Sequence, residues 1–521
     1  MGAYGHLRSA RAANECGVIA VGSTATCTPA GNNFTGGIEY DVNDATIVVQ
    51  DGVVISTTAA NTIGISSGDF NVAHGNLAVD IQGTVAITTA GDSADGIFIA
   101  TDNGTITLTT SASTSIVTSN NEAVGIHLDA YGGDITVSSP GSIRTNGNYA
   151  HGIEAYAGGD INVSVGDITV TGPNSYGAHL YSNGGSISVT TGLVTNSGTG
   201  YQAGIYAQSI GGAVSVTTSG IVSTSGIGVV AVVVGGGSNN VDVTSTGEIS
   251  AYGIGVGALS ATGDVTVTTQ GLVTTTGNAS IGIYAAAYAG DVTISSNGIN
   301  AQGAGSTAIL VRTATGNIVI TDTGTLTATD DAIYATSIGG SVTITVNNIV
   351  TDDDAFNVYG ATGVTITVNG TIIAADEGLE VDTGAGPAII SVNNVSATGS
   401  DNDAVRATSG GAVSITVSGT VLGGARSAQG AGIDIELSTV GTITVNKGGS
   451  IGALSDFAID NRGAGALTIN NSGTITGSLI FGANNDVLNN LSPNSVNLRR
   501  FTDTNADGIR DTEAVAIIDF G

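Results

Sequence analysis

Ile135-Thr136-Val137, Ser142-Ile143-Arg144-Thr145 and Gly152-Ile153-Glu154-Ala155, closed by Gly158-Gly159, form one unit of a pattern that fills most of this chain. Each run alternates apolar and polar residues, and turn residues separate the runs, so the unit reads as three short strands and three turns. The third run returns about every 25 residues. It recurs as Gly125-Ile126-His127-Leu128, Gly204-Ile205-Tyr206-Ala207, Gly282-Ile283-Tyr284-Ala285, Ala332-Ile333-Tyr334-Ala335, Ala404-Val405-Arg406-Ala407 and Gly432-Ile433-Asp434-Ile435. The first run returns with it, for example as Ile161-Asn162-Val163, Ile187-Ser188-Val189, Val265-Thr266-Val267 and Ile443-Thr444-Val445.

Such a repeat predicts an all-β fold: a right-handed parallel β-helix (β-solenoid) of about 16 three-strand coils of about 22–30 residues each. Alternation assigns an inward column to Ile126, Ile153, Ile205, Val229, Ile254, Ile283, Ile309, Ile333, Phe356, Leu379, Val405, Ile433 and Ile459. Three segments follow: residues 1–41 as an N-terminal segment and disulfide-closed cap, 42–484 as the β-helix, and 485–521 as a C-terminal non-repeat transition. Ile517-Ile518-Asp519-Phe520 reads as a strand without its neighbours, so the natural protein is expected to continue past Gly521. Residues 1–14 hold no apolar stretch and do not form a complete signal peptide. Either an export signal has been removed, or the chain starts partway into a longer product.

The formal charge is −31, with Lys447 the sole lysine. Such a surface repels phosphate backbones, which argues against nucleic-acid binding. It attracts divalent cations and keeps a long chain soluble. No apolar run reaches the roughly 18 residues that a membrane-spanning helix needs. Cys16 and Cys27 are the only cysteines; an isolated close pair at the mouth of a solenoid is expected to form a disulfide in an oxidising compartment.

Aligning the coils exposes further features. Asp331, Asp354, Glu377 and Asp403 precede the third run in four consecutive coils, beside Asp330, Asp353, Asp376 and Asn402. Stacking puts these carboxylates about 4.8 Å apart, a spacing that a Ca²⁺ ion can bridge. Aspartate is also an ordinary turn residue. The outward positions of the third run hold His127, Glu154, His179, Tyr206, Tyr284 and Tyr334, a candidate binding face. His127 and His179 should lie about 10 Å apart across two strand spacings, too far to share a zinc ion. A solvated strand face is the expected reading. Thr136, Ser188, Ser215, Thr266, Thr293, Thr343 and Thr365 line the outer face of the first run, broken by Asn162, Asp242 and Val319.

Outside the repeat, Asp503, Asn505, Asp507, Ile509 and Asp511 have the alternate-position spacing of a calcium loop, with Gly508 at the turn. The segment resembles thrombospondin type 3 calcium loops and the first half of an EF-hand loop. The glutamate expected at the twelfth position is missing, with Ala514 there and Glu513 one place early. No phosphate-binding loop occurs, no Gly-x-Ser-x-Gly nucleophile elbow has a partnered histidine, and tryptophan is absent.

The chain resembles the passenger region of Gram-negative autotransporters over roughly residues 16–490. The resemblance rests on the cysteine pair, the Thr/Val/Gly coils and Gly477-Ser478-Leu479-Ile480-Phe481-Gly482-Ala483-Asn484-Asn485-Asp486-Val487-Leu488. It implies export, passage through an outer-membrane β-barrel, and display outside the cell. The chain departs from the pattern in having no C-terminal barrel and no protease triad.

Together these features suggest a non-enzymatic, secreted or cell-surface β-helix, acting as an adhesin or display stalk through many weak contacts. Its partner would be an unidentified ligand on a host cell, a neighbouring cell or a glycan surface, and the chain is expected to be a monomer. The alternatives are a polysaccharide-active β-helix enzyme using the acidic ladder, and a calcium-dependent structural or ice-interacting rod. Ca²⁺ is the only cofactor suggested.

Overall fold

Parallel strands stack turn upon turn in the computed structural model, giving an all-β solenoid of about 17 turns. The structure describes residues 14–68, 74–237, 239–397, 399, 402–425, 430–482, 484–491, 496–498, 501–502, 512–513 and 517–519. The chain divides into two compact units, Met1–Thr262 and Gly263–Gly521.

In the first unit the opening strand of each turn pairs in parallel register, Ile106 with Ile135, then Ile161, Ile187, Val214 and Val241. The third strand does the same through Ile97, Ile126, Ile153, Ala178, Ile205, Val229 and Val256. Like residues meet because each turn repeats the last one, and all of these side chains are buried. Each buried Ile or Val contributes roughly 1.5–3 kcal/mol. One expected core position moves. Val256, not Ile254, aligns with Val229, while Ile254 is only half-buried. Both residues face inward by alternation, so a two-residue change before the strand shifts the register without turning polar residues inside.

The second unit runs its opening strands through Val265, Val292, Ile318, Val342, Val364, Ala388, Val413, Gly441 and Leu467. Its third strands bury Ile283, Ile309, Ile333, Phe356, Leu379, Val405, Ile433 and Ile459 completely.

Two side-chain devices tie each turn to the one before. At the corner after the third strand, buried Ser182 donates to Gly159 O at 2.7 Å and accepts from Gly185 N–H at 2.8 Å. Ser209 repeats the arrangement with Gly185 and Gly212, and Ser337 with Gly316 and Gly340. At the next turn, aspartates accept from the following turn's backbone. Asp134 Oδ1 takes Asp160 N–H at 2.8 Å, and Asp160 Oδ1 takes Ser186 N–H at 2.7 Å. Asp291 does the same for Asn317 N–H at 2.7 Å. Part of the large negative charge is therefore structural: these carboxylates satisfy N–H groups that the strand ladder leaves unpaired.

The stack begins and ends outside the span expected for it. Thr24–Cys27 already pairs in parallel with Thr46–Val49, inside the segment read as a cap. Cys16 and Cys27 form a disulfide with Cα atoms 5.0 Å apart, which fastens the residues before the first strand onto that strand. Buried Tyr40 supports the same loop, accepting from Cys16 N–H and donating to Gly17 O, both at 3.0 Å. At the other end, Val487–Asn490 pairs with Ala466–Asn471. Ile518–Asp519, expected to lack neighbours, pairs with Leu479 and Ile480. Among the described residues no helix is long and apolar enough to cross a membrane.

Candidate functional sites

Two clusters of titratable side chains occupy the same place in the repeat, the third strand and the turn before it. One lies in each unit.

In the first unit, parallel register stacks Phe98, His127, Glu154, His179 and Tyr206 in one outward column. Two residues further along lie Ala100, Asp129, Tyr156, Tyr181 and Gln208. Neighbours in a column are one strand spacing apart, so imidazoles and carboxylates come into contact. His127 is gripped from two sides, with Nδ1 3.3 Å from Asp95 Oδ2 and Nε2 3.2 Å from Asp129 Oδ2. Both aspartates are buried. Burial on its own would lower the His127 pKa, but Asp129 and Asp95 raise it well above the usual imidazole value. Phe98 packs edge-on against this ring at 5.2 Å.

One turn on, His179 Nδ1 lies 3.5 Å from Glu154 Oε1. Burial would raise the glutamate pKa; the His179 contact and the imidazoles of His127, His151 and His179 prevail and lower it to about 2. The expected solvated face is therefore a half-buried charge network, with side chains of His127, Glu154 and His179 only 17–20% exposed.

His151, a turn residue that the column alignment does not contain, joins this network. Metal-ligand atoms of His151, Glu154 and His179 all lie within 4.8 Å of one another. The hydrogen bonding decides against a metal centre. His151 Nδ1 accepts from Tyr176 N–H at 2.9 Å, so the neutral ring carries its proton on Nε2 and presents a donor. A ligating histidine has the opposite polarity, donating through its far nitrogen. Burial lowers the His151 pKa to about 4, which keeps that ring neutral.

Aromatic rings surround the network. Tyr176 stacks on His179 at 4.7 Å, and Tyr206 and Tyr156 approach His179 edge-on at 5.4 and 5.7 Å. The Tyr206 hydroxyl donates to Gln208 Oε1 at 2.5 Å. Tyr284 and Tyr334 belong to the second unit, where Leu310 separates them in the column. Arg312 covers the Tyr334 ring at 5.2 Å.

In the second unit the acidic ladder is real and is built by the backbone. Ala332 N–H donates to Asp354 O at 2.9 Å, Ala355 N–H to Glu377 O at 3.0 Å, and Gly378 N–H to Asp403 O at 3.0 Å. Each acidic residue is thereby held over the next. Side chains interlock as well: Asp354 Oδ1 accepts from Glu377 N–H at 2.9 Å. Carboxylate oxygens of Asp330, Asp331 and Asp353, and of Asp353, Asp354 and Asp376, fall into groups within 4.8 Å.

Like charges crowd together here, and the pKa values of these groups rise. Burial first, then Asp354 and Asp330, push Asp331 up to about 7. Burial, with Asp353 and Asp376, pushes Asp354 to about 6 against the opposing Glu377 N–H. Burial, Asp376 and Asp354 push Glu377 to about 9. Asp403 reaches about 7 through burial and the neighbouring Asp434, which stands in register with Arg406 on the third strand. Among the described residues, arginines pair with carboxylates at the far end, where Arg406 Nη1 meets Glu380 Oε1 at 3.1 Å and Arg462 meets Asp434 at 3.4 Å and Asp460 at 3.1 Å. An acidic cluster of this kind does not by itself assign a calcium site. The calcium-loop residues Asp503, Asn505, Asp507, Ile509 and Asp511 lie outside the described residues.

Sequence reading missed His151, Tyr156, Tyr176, Tyr181 and the Asp95–Asp129 grip on His127. Extending the column alignment by two residues would have found Tyr156 and Tyr181, and by three in the other direction His151 and Tyr176. No protein-family model, curated protein or solved structure matches the chain.

Proposed function

We propose that the protein is an exported, non-catalytic β-solenoid that presents its stacked turns as a binding or display surface outside the reducing cytosol. The observation that carries this reading is the Cys16–Cys27 disulfide on the first strand of the stack. Structural disulfides persist in oxidising compartments and are rare in the cytosol. Autotransporter-type display at a Gram-negative surface fits the same reading, as do repeated faces suited to many weak contacts. The test is made on intact producing cells: surface biotinylation together with thiol alkylation before and after reduction. Labelling of the chain, with both cysteines blocked to alkylation until reduction, supports export. A cytosolic chain with two free thiols overturns it. Beads carrying many copies should then adhere to a target surface far better than an equal mass of single chains.

A second reading, a polysaccharide-active enzyme, draws on the ladder. Asp331, Asp354 and Asp403 have pKa values of about 6–7, the range a general acid in glycoside hydrolysis needs. Turnover of a glycan by the native chain, lost in Asp354→Asn, would favour it over the display role. Absence of any product across acidic and neutral glycans removes it.

A further inference from the structure

Beside the imidazole network in the first unit runs a shallow groove of about 220 Å³, lined by Tyr131, Tyr156, Ala157, Gly158, Tyr181 and Asn183. Parallel register creates it: Tyr156 and Tyr181 are direct neighbours in one column, their rings 5.9 Å apart and tilted 44° to each other. Tyr131 reaches the same groove from the turn after the strand Ile126–Ala130 and stays 58% exposed. Almost nothing in this lining can hydrogen-bond except the phenol hydroxyls and the Asn183 amide.

The surroundings are anionic. Asp129 stands next to Tyr156 in register, and Glu154 lies two residues before it in the same strand. Asp102 and Asp129 both act on the Tyr131 hydroxyl and, after burial, help to raise its pKa. Glu154 and Asp129 act likewise on Tyr156. Of the four carboxylates Asp95, Asp102, Asp129 and Glu154, Asp95 and Asp129 share His127, and Glu154 pairs with His179. Arg144 is the only arginine or lysine among the described residues of this unit, and it lies on a different strand, Ser142–Asn146.

From this combination we infer that the groove binds a small quaternary ammonium ligand, with its trimethylammonium group set among the faces of Tyr131, Tyr156 and Tyr181. Ring faces attract a cation through their quadrupole, and carboxylates behind the rings deepen that potential. The carbon-rich lining selects the kind of cation. A primary ammonium would lose strong hydration for too few acceptors, whereas a quaternary ammonium has no N–H groups to satisfy. The inference concerns this groove alone and holds wherever the chain is displayed.

The test is ligand-observed NMR titration of the full chain with choline, with its neutral isostere 3,3-dimethylbutan-1-ol, with phosphocholine and with glucose. Choline should bind saturably and at least about 5-fold more tightly than the neutral isostere, and less tightly as salt is added. Phosphocholine should be weaker than choline because its phosphate meets the Asp102 and Glu154 side of the groove. Tyr181→Leu should weaken choline by about 5-fold or more while keeping apolar bulk. If that variant fails to fold, Tyr131→Leu, at an exposed position, supplies the same comparison. Equal affinity for choline and the isostere would reveal a merely apolar groove and overturn the inference. So would saturation by glucose but not choline, or choline binding unchanged in the tyrosine variants.

Discussion

In the first unit the acidic side chains beside the third strand alternate with imidazoles; in the second, carboxylate stacks on carboxylate at the same repeat position. The backbone is alike in both, so the contrast isolates what side-chain order does. Where His127 and His179 intervene, Glu154 is held ionised with a pKa of about 2. Where carboxylate follows carboxylate, Asp331, Asp354 and Glu377 are driven to about 6–9, and Asp403 reaches about 7 even with Arg406 and Arg462 nearby. A parallel stack forces identical positions together, and the sequence must then supply either counter-charges or protons.

The comparison breaks most visibly at His127. His127→Leu would leave Asp129 buried without its counter-charge, and the first unit should lose about 3–5 kcal/mol, read by denaturant unfolding. Smaller loss would mean that water, not the imidazolium, carries the aspartates.

The next largest effect is a pH response of opposite sign in the two units. Raised carboxylate pKa values give stabilisation that is complete below the unfolded values near 4 and disappears as pH climbs through about 6–9. Lowered values behave inversely. His151, at about 4, contributes fully above its unfolded value near 6.5 and loses that contribution as pH falls towards 4. Glu154 loses its own only as pH falls from about 4.5 to about 2. Between about pH 4 and 6.5, amide exchange corrected for intrinsic rates should therefore slow with rising pH around residues 151–179 and quicken around 331–403. A common sign in both regions would remove the distinction.

At pH 8, Asp403→Asn should stabilise the second unit by about 1 kcal/mol, because the amide oxygen can still accept Ala431 N–H without the charge. Destabilisation would show that the ionised form is needed. The smallest effect is expected from importing the first unit's solution. Glu377→His places an imidazole between Asp354 and Asp403, and should raise the melting temperature at pH 6 by a few degrees, roughly the equivalent of 1 kcal/mol or less.

Much of this molecule was legible in its sequence because a parallel solenoid writes its register into the spacing of residues such as Ile126, Ile153 and Ile205. The acidic ladder was legible for the same reason. The charge network was not. His151 and Tyr176 lie three residues before Glu154 and His179, outside the repeated run that defines the column, and the rings packed on His179 come from more than one turn. Ile254 was misplaced because alternation cannot distinguish a two-residue shift. Only the corner glycines, where Ser209 fixes the end of the strand, show which residue is in step.

Those serine corners have a consequence for how such a chain changes over generations. Every hydrogen bond given for the hydroxyls of Ser182, Ser209 and Ser337 goes to its own turn or to the one before. Loss or duplication of one whole turn would bring an equivalent glycine carbonyl to each serine, so the break would heal without a new partner. A change of half a turn would find none. Length in this protein is thus free to drift, but only in whole steps.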